Sequence, residues 1–291
     1  MKIEKYVLSL IVPCALGCAG EAVQPSSAAP APPTSSGAEA ALQPGVSAAP
    51  PTSAKPTLCG VGTSEGEVMD EVLARSGRGL LWLVTDRADP DRREQIKRGA
   101  EEVHSARALA ECLLSVRDPG FDPTQSKGFP VLQAWVDAHV GPEHAQTLLA
   151  AGVAYFASLL VSKSWIDAAL DVPATRLFLE RANAANPQLA DGLGPLILGG
   201  YECFVPKAFG GQPESGLRRL QDAASREGSL RLAMKVAAAE LCAFSLQDRA
   251  LFERLLAEVS AAKPTNATFD LLAKQRAETL RTEAEDMFPE L

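Results

Sequence analysis

Histidine is scarce in this chain, with three residues in 291, so a histidine-rich metal centre is close to excluded. Aromatic residues make up only 5%, and no stretch sustains an alternation of period two. Both shortages disfavour a β-sandwich or barrel, whose strands draw on β-branched and aromatic side chains. Basic residues are outnumbered, 28 Lys and Arg against 36 Asp and Glu, for a net charge of −8. A chain without a basic excess is not expected to bind nucleic acid, which needs its phosphates neutralised. There is no GxSxG elbow, Walker loop or GxGxxG, and the isolated Gly210-Gly211 pair reads as a turn. His139 and His144 stand on either side of Gly141-Pro142, a helix breaker, and so cannot share one metal-binding face. Asp86, Asp89 and Asp91 lack the Gly and the closing Glu of a calcium loop. With no nucleophile–base pair in view either, neither an enzyme nor a cofactor is expected.

What the chain has in abundance is Ala and Leu, the residues that cost least in a helix. The first 18 residues are a separate matter. Lys2 and Lys5 precede an apolar run from Tyr6 to Leu16, too short to span a bilayer and shaped like a secretory signal. The run ends Ala15-Leu16-Gly17-Cys18, which resembles a bacterial lipobox, so Cys18 is the expected lipidation site. Acyl chains on one Cys give stable anchoring, at about 0.8 kcal/mol per buried methylene. Residues 19–57 hold eight Pro among mostly Ala, Ser, Thr and Gly, and no segment there can bury a core. They read as a disordered tether, leaving residues 58–291 as one domain. Losing the signal makes the mature chain more acidic still, so the acyl group and not a basic patch should hold it to a membrane.

From residue 64 the apolar period is close to 3.6. Ser64 is placed to cap a first helix, with Glu65 and Glu67 in its first turn, and Gly77-Arg78-Gly79 is the expected stop. Leu80 to Val84 fits either helix or extended chain. Further helices are predicted over about 90–116, 129–139, 142–162, 170–185, 188–203, 213–227, 230–244, 248–262 and 267–287, with a loop at 118–127. The helix at 142–162 is apolar nearly all round and belongs in the middle of a core. Three segments are alike: 175–187, 216–225 and 251–264. Aligning Ala182, Ala223 and Val259 spaces them 41 and 36 residues apart, near the 34 of a tetratricopeptide (TPR) repeat. The expected fold is therefore all-α, a stack of TPR-like helical hairpins that cover one another's apolar faces. Four cysteines fall in the domain. Cys112 and Cys242, in apolar helical runs, read as buried small hydrophobes, while a Cys59–Cys203 bridge stays open.

Several runs resemble the T-component (TatT) family of tripartite ATP-independent periplasmic (TRAP) transporters. The most specific is FSLQDRALFERLL at 244–256, followed by Gln275-Arg276-Ala277. Leu170-Asp171-Val172-Pro173 resembles the family's turn before a repeat helix. Residues 176–182 with Asn186-Pro187, residues 209–214 and residues 153–163 match further runs, although Gln212 stands where the family usually has Asp. The similarity covers roughly 145–288. It implies an exported, non-catalytic lipoprotein that binds the P-type periplasmic solute receptor of a TRAP system, carries an apolar cleft for a hydrophobic ligand, and forms a homo-oligomer. Ala19 after Cys18 favours the periplasmic face of the outer membrane over the inner membrane. The alternative is a structural scaffold assembling envelope proteins with no transport role. For the cleft, the sequence points to 195–211, where an apolar strip runs through Gly199-Gly200 into Tyr201, Phe204 and Phe209. Tyr155 and Trp165 are the further candidates to line it.

Overall fold

The computed structural model describes residues 64–84, 92–117, 129–162, 165–226, 228–264 and 267–288. The signal with Cys18, the tether, Cys59 and the loop expected at 118–127 lie outside these residues. Eleven α-helices occupy the described chain, with no strand among the described residues. They are α1 (Glu65–Val84), α2 (Arg92–Arg117), α3 (Phe129–His139), α4 (Ala145–Val161), α5 (Trp165–Ala185), α6 (Leu193–Phe204), α7 (Pro213–Ala224), α8 (Arg231–Ala237), α9 (Arg249–Ala261), α10 (Ala267–Thr282) and α11 (Ala284–Met287). The class is all-α, built of antiparallel hairpins stacked in chain order. The three similar sequence segments become α5, α7 and α9, the second helices of hairpins α4/α5, α6/α7 and α8/α9.

Helix α1 starts as its sequence dictates. The Ser64 hydroxyl accepts from the Glu67 amide at 3.2 Å, and the Glu67 carboxylate accepts from the Ser64 amide at 2.9 Å, a reciprocal capping box. Its end is not where the glycines suggest. The helix runs through Gly77-Arg78-Gly79 to Val84. Gly79 is there for packing: a Cβ on it would lie 2.6 Å from both the Gly99 carbonyl and Val103 Cγ2 on α2. The same device recurs. A Cβ on Gly152 of α4 would meet Leu179 of α5 at 2.6 Å, and one on Gly216 of α7 would meet the Gly199 carbonyl of α6 at 2.5 Å. Each of these three hairpins is therefore closed where a glycine leaves room for the facing helix, by its backbone at Gly79 and Gly216 and by the Leu179 side chain at Gly152. In the first, Arg78 reaches Glu102 while Arg75 reaches Ser105.

The core is continuous along the stack. It is centred on α4, whose residues from Thr147 to Ser158 are all buried. Helix α4 with its preceding 3₁₀ turn is long and apolar enough to cross a membrane, but most of that length is enclosed by other helices of the domain. Phe156 on α4, Phe178 on α5 and Phe252 on α9 are each sealed from solvent. Phe252 and Phe244 both pack on Phe288, at 5.1 and 6.0 Å between ring centres, which ties the C-terminal end to the last hairpin.

Four local expectations change. Helix α5 begins at Trp165 and keeps Pro173 inside it, so Leu170 to Pro173 is helix and not the turn expected there. Around the proline, the Asp171 carbonyl accepts from the Thr175 hydroxyl and the Val172 carbonyl from the Tyr201 phenol, at 2.9 and 3.3 Å. The helix expected from 188 instead begins at Leu193. Ala190, Asp191 and Gly192 hold left-handed backbone at φ 49°, 55° and 87° just before it. Two consecutive non-glycine residues in that region store strain on the order of 1–2 kcal/mol each. The helix at 230–244 loosens into a π-helical turn over Ala238–Ala243. Finally, Cys242 is not a free thiol: it is bonded to Cys203, joining α6 to the π turn across 4.8 Å between Cα atoms. This bond removes Cys203 from the Cys59 pairing left open above, and Cys112 is disulfide-bonded as well.

Candidate functional site

Two of the five aromatic residues pointed to by the sequence are core residues flanking α5. Tyr155 on α4 is 5% exposed, and its phenol donates to Glu111 on α2 at 3.1 Å. Its ring packs edge-on against Phe178 of α5 at 5.3 Å, and the Arg107 guanidinium lies 4.3 Å above its centre. Arg107 in turn donates to Glu111 at 2.9 Å and to both carboxylate oxygens of Asp171 on α5. Burial raises the Tyr155 phenol well above its ordinary range. Burial also opposes the charge of Arg107, but the Asp171 and Glu111 carboxylates outweigh it and hold the guanidinium protonated. This Arg107–Glu111–Asp171–Tyr155 cluster joins three helices, and every charge in it is answered within the fold.

Tyr201 on α6 is 2% exposed, and burial pushes its phenol up to about 12. Phe204, at the end of α6, is half-buried against the core. Trp165 opens α5 and Phe209 closes a 3₁₀ turn (Lys207–Phe209), but the side chains of both lie outside the described residues. The stretch 195–211 is not one loop. Its first ten residues are helix, buried as far as Cys203, with Gly199 as the close-packing point, and only residues 205–211 turn. Gly210 at φ 90° and Gly211, where a Cβ would fall 1.6 Å from the Val205 carbonyl, do form the expected turn. His139 donates from Nδ1 to the Trp135 carbonyl at 3.0 Å and stacks on the Trp135 ring. Among the described residues, no group of three His, Cys, Asp or Glu is arranged to hold a metal ion.

Two open concavities among the described residues lie elsewhere, on the two flanks of α7. Pro213 starts this short helix, and its leucine-and-glycine face turns inward. Its opposite face carries Arg218, Arg219 and Asp222. One groove, of about 280 Å³, runs between α7 and the end of α5, with Asn183 and Pro195 on the far wall and Arg226 beyond the helix end. The other, of about 220 Å³, lies between α7, α8 and α9, with a floor of Leu220 and Leu255 under Lys235, Arg254 and Glu258. The first is the more cationic. Arg219 is committed within the fold, donating at 3.2 and 3.1 Å to the two oxygens of Glu202, which is 2% exposed on α6. Arg218 and Arg226 are exposed, and neither forms a hydrogen bond or ion pair with another described residue. These arginines were visible as Arg218-Arg219 with Arg226 eight and seven positions on. A charged helix face reads as merely solvated until the wall opposite it is known.

The runs that carry the family resemblance prove to be architectural. Gln247 adopts left-handed backbone at φ 56°, and its side-chain amide donates to the Phe244 carbonyl at 2.7 Å. Asp248 then caps α9 by accepting from the Leu251 amide at 2.9 Å, and Arg249 bridges Glu253 and Glu285. In the second run, Arg276 on α10 donates to both oxygens of Glu240, a fully buried carboxylate in the π turn, and Ala277 is sealed beside it. Burial pushes the Glu240 carboxyl up to about 7 against the pull of Arg276. No curated protein matches the chain. The sequence model of one family, described as the TRAP transporter T-component, matches residues 83–288, and the chain belongs to that family.

Proposed function

We propose that this T-component works as a lipid-anchored, non-catalytic docking protein on the periplasmic side of a TRAP system. Cys18 carries the lipid, the 19–57 tether lets the domain stand away from the outer membrane, and the hairpin stack binds the P-type solute receptor. The receptor ferries a small organic solute, and a hydrophobic ligand seats among the helices. The observation that carries this reading is the family match over 83–288, which spans the hairpin stack from α2 to α11 together with both grooves beside α7. The charged clusters support a passive role, since Arg107, Arg219 and Arg276 each neutralise carboxylates within the fold.

The test is made in cells that produce the chain and its receptor from their native genes. Labelled palmitate should enter the wild-type chain and not Cys18→Ser. Chemical cross-linking followed by purification of the lipidated chain should enrich a P-type receptor. Enrichment of other envelope proteins with no receptor would instead make the chain an assembly scaffold.

A further inference from the structure

The groove between α5, α6 and α7 combines three features that nothing in the hairpin architecture requires. Arg218 and Arg226 are two exposed cations that form no hydrogen bond or ion pair with another described residue, on a chain whose net charge is −8, and Arg218 feels only the field of Glu214 one turn before it. Asn183, on the facing wall, has a buried Oδ1 with no hydrogen-bond partner, an omission that costs on the order of 1–3 kcal/mol. The left-handed segment at 190–192 joins Pro187 to Pro195, both on the groove wall, and Asp191 in it accepts a hydrogen bond from Ser229 at 2.6 Å.

We infer that this groove docks an extended acidic segment of the partner protein, with its carboxylates on Arg218 and Arg226 and a backbone amide on Asn183. This rests on the reading of the chain as a receptor-binding component and names the surface used. The geometry favours a peptide over a small anion. Eight residues separate the two arginines, the last two in the turn that ends α7, a span on the order of 12 Å at the helical rise, which matches acidic side chains three to four residues apart in an extended chain. Asp222 sits midway, four residues from each arginine, so a single anion held centrally between them would face its carboxylate. Two carboxylates straddling Asp222 avoid that repulsion. The Asn183 oxygen needs a donor, and an extended segment offers backbone N–H groups, whereas an ionised carboxylate offers none. Charge complementarity of this kind fixes register and speeds encounter.

The experiment measures binding of the purified P-type receptor to the full-length chain, with three proteins compared. They are the wild type, Arg218→Glu/Arg226→Glu, and a control with the same charge change at exposed sites on other hairpins, Lys97→Glu/Lys263→Glu. Arg219 is left intact because it holds Glu202. Neither groove arginine forms a hydrogen bond or ion pair with another described residue, so the fold is expected to persist, and circular dichroism checks it. The groove variant should bind about tenfold more weakly or worse while the control stays near wild type. Asn183→Leu, which removes the proposed amide acceptor without changing charge, should weaken binding independently. Equal binding by wild type and groove variant overturns the groove while leaving receptor binding intact. No binding by the wild type overturns the receptor reading itself. Saturable binding of succinate or inorganic phosphate to the wild type, lost in the groove variant and with receptor binding unchanged, would assign the groove to a small anion and overturn the peptide.

Discussion

The same substitution, Gly to Ala, should have opposite signs at two helical positions of this protein. Gly66 lies in the first turn of α1 with nothing within 4 Å of an added Cβ. Alanine there gains helix propensity and narrows the unfolded ensemble, so stability should rise by up to about 1 kcal/mol. Gly216, on α7, gains the same propensity but loses its space. Its Cβ would lie 2.5 Å from the Gly199 carbonyl oxygen, 2.6 Å from the sulfur of Cys203 and 3.0 Å from Glu202 Cβ. Two of those neighbours are pinned, one as backbone and one by its bond to Cys242. Helices α6 and α7 must then separate by several tenths of an ångström, which strains the disulfide and lengthens the Arg219–Glu202 contacts. Overpacking of this kind costs about 1–3 kcal/mol, which set against a propensity gain of up to about 1 kcal/mol leaves Gly216→Ala destabilised by up to about 2 kcal/mol. Urea unfolding of both variants, at unchanged m-value, reads the two signs directly. If Gly216→Ala matched or exceeded Gly66→Ala in stability, the bare-backbone closure of the α6/α7 hairpin would be wrong.

Other changes test other joints. Cys203→Ser/Cys242→Ser opens a loop of 39 residues and should cost about 4 kcal/mol, seen as a lower melting temperature and a smaller further drop on adding reductant, which then acts on the Cys112 bond alone. Asp248→Ala removes the cap of α9 and should cost about 1 kcal/mol by the same measurement. Burial holds the Glu240 proton more tightly in the folded chain, up to about 7 against an ordinary carboxyl near 4.5. The resulting stability, about 3 kcal/mol, is fully present below pH 4.5 and is lost as pH rises through 7. Glu240→Gln should flatten that decline in a series of unfolding curves taken between pH 4 and 8, and an unchanged decline would place its origin elsewhere.

Much of this architecture can be read along the chain because local chemistry and tertiary packing agree. Ser64 and Glu67 signal a helix start on their own, and the all-round apolarity of residues 145–158 leaves α4 nowhere to go but the centre. The places where the reading fails are those where a distant contact decides. Gly79 looks like a stop signal until Val103 and Gly99 are seen against it. Pro173 would end an isolated helix, yet α5 carries it through, with Thr175 and Tyr201 donating to carbonyls of the turn just before it. The Cys203–Cys242 pairing depends on how closely α6 approaches the π turn, which no spacing reveals. Tyr201 stands out in the sequence beside the Gly199-Gly200 pair and Tyr155 is a further cleft candidate, but Gly199 is a contact point and both phenols are satisfied inside the core. The groove arginines are the reverse case. Their helix face is plain in the sequence, but the Asn183 wall that makes it a groove comes from the preceding hairpin.

The most direct test of the account is the affinity of the purified, full-length chain for its P-type receptor, measured by titration at physiological ionic strength. The account predicts saturable binding that weakens as salt is raised, because part of the contact is between charges. A titration that stays flat to the highest soluble receptor concentration would contradict it.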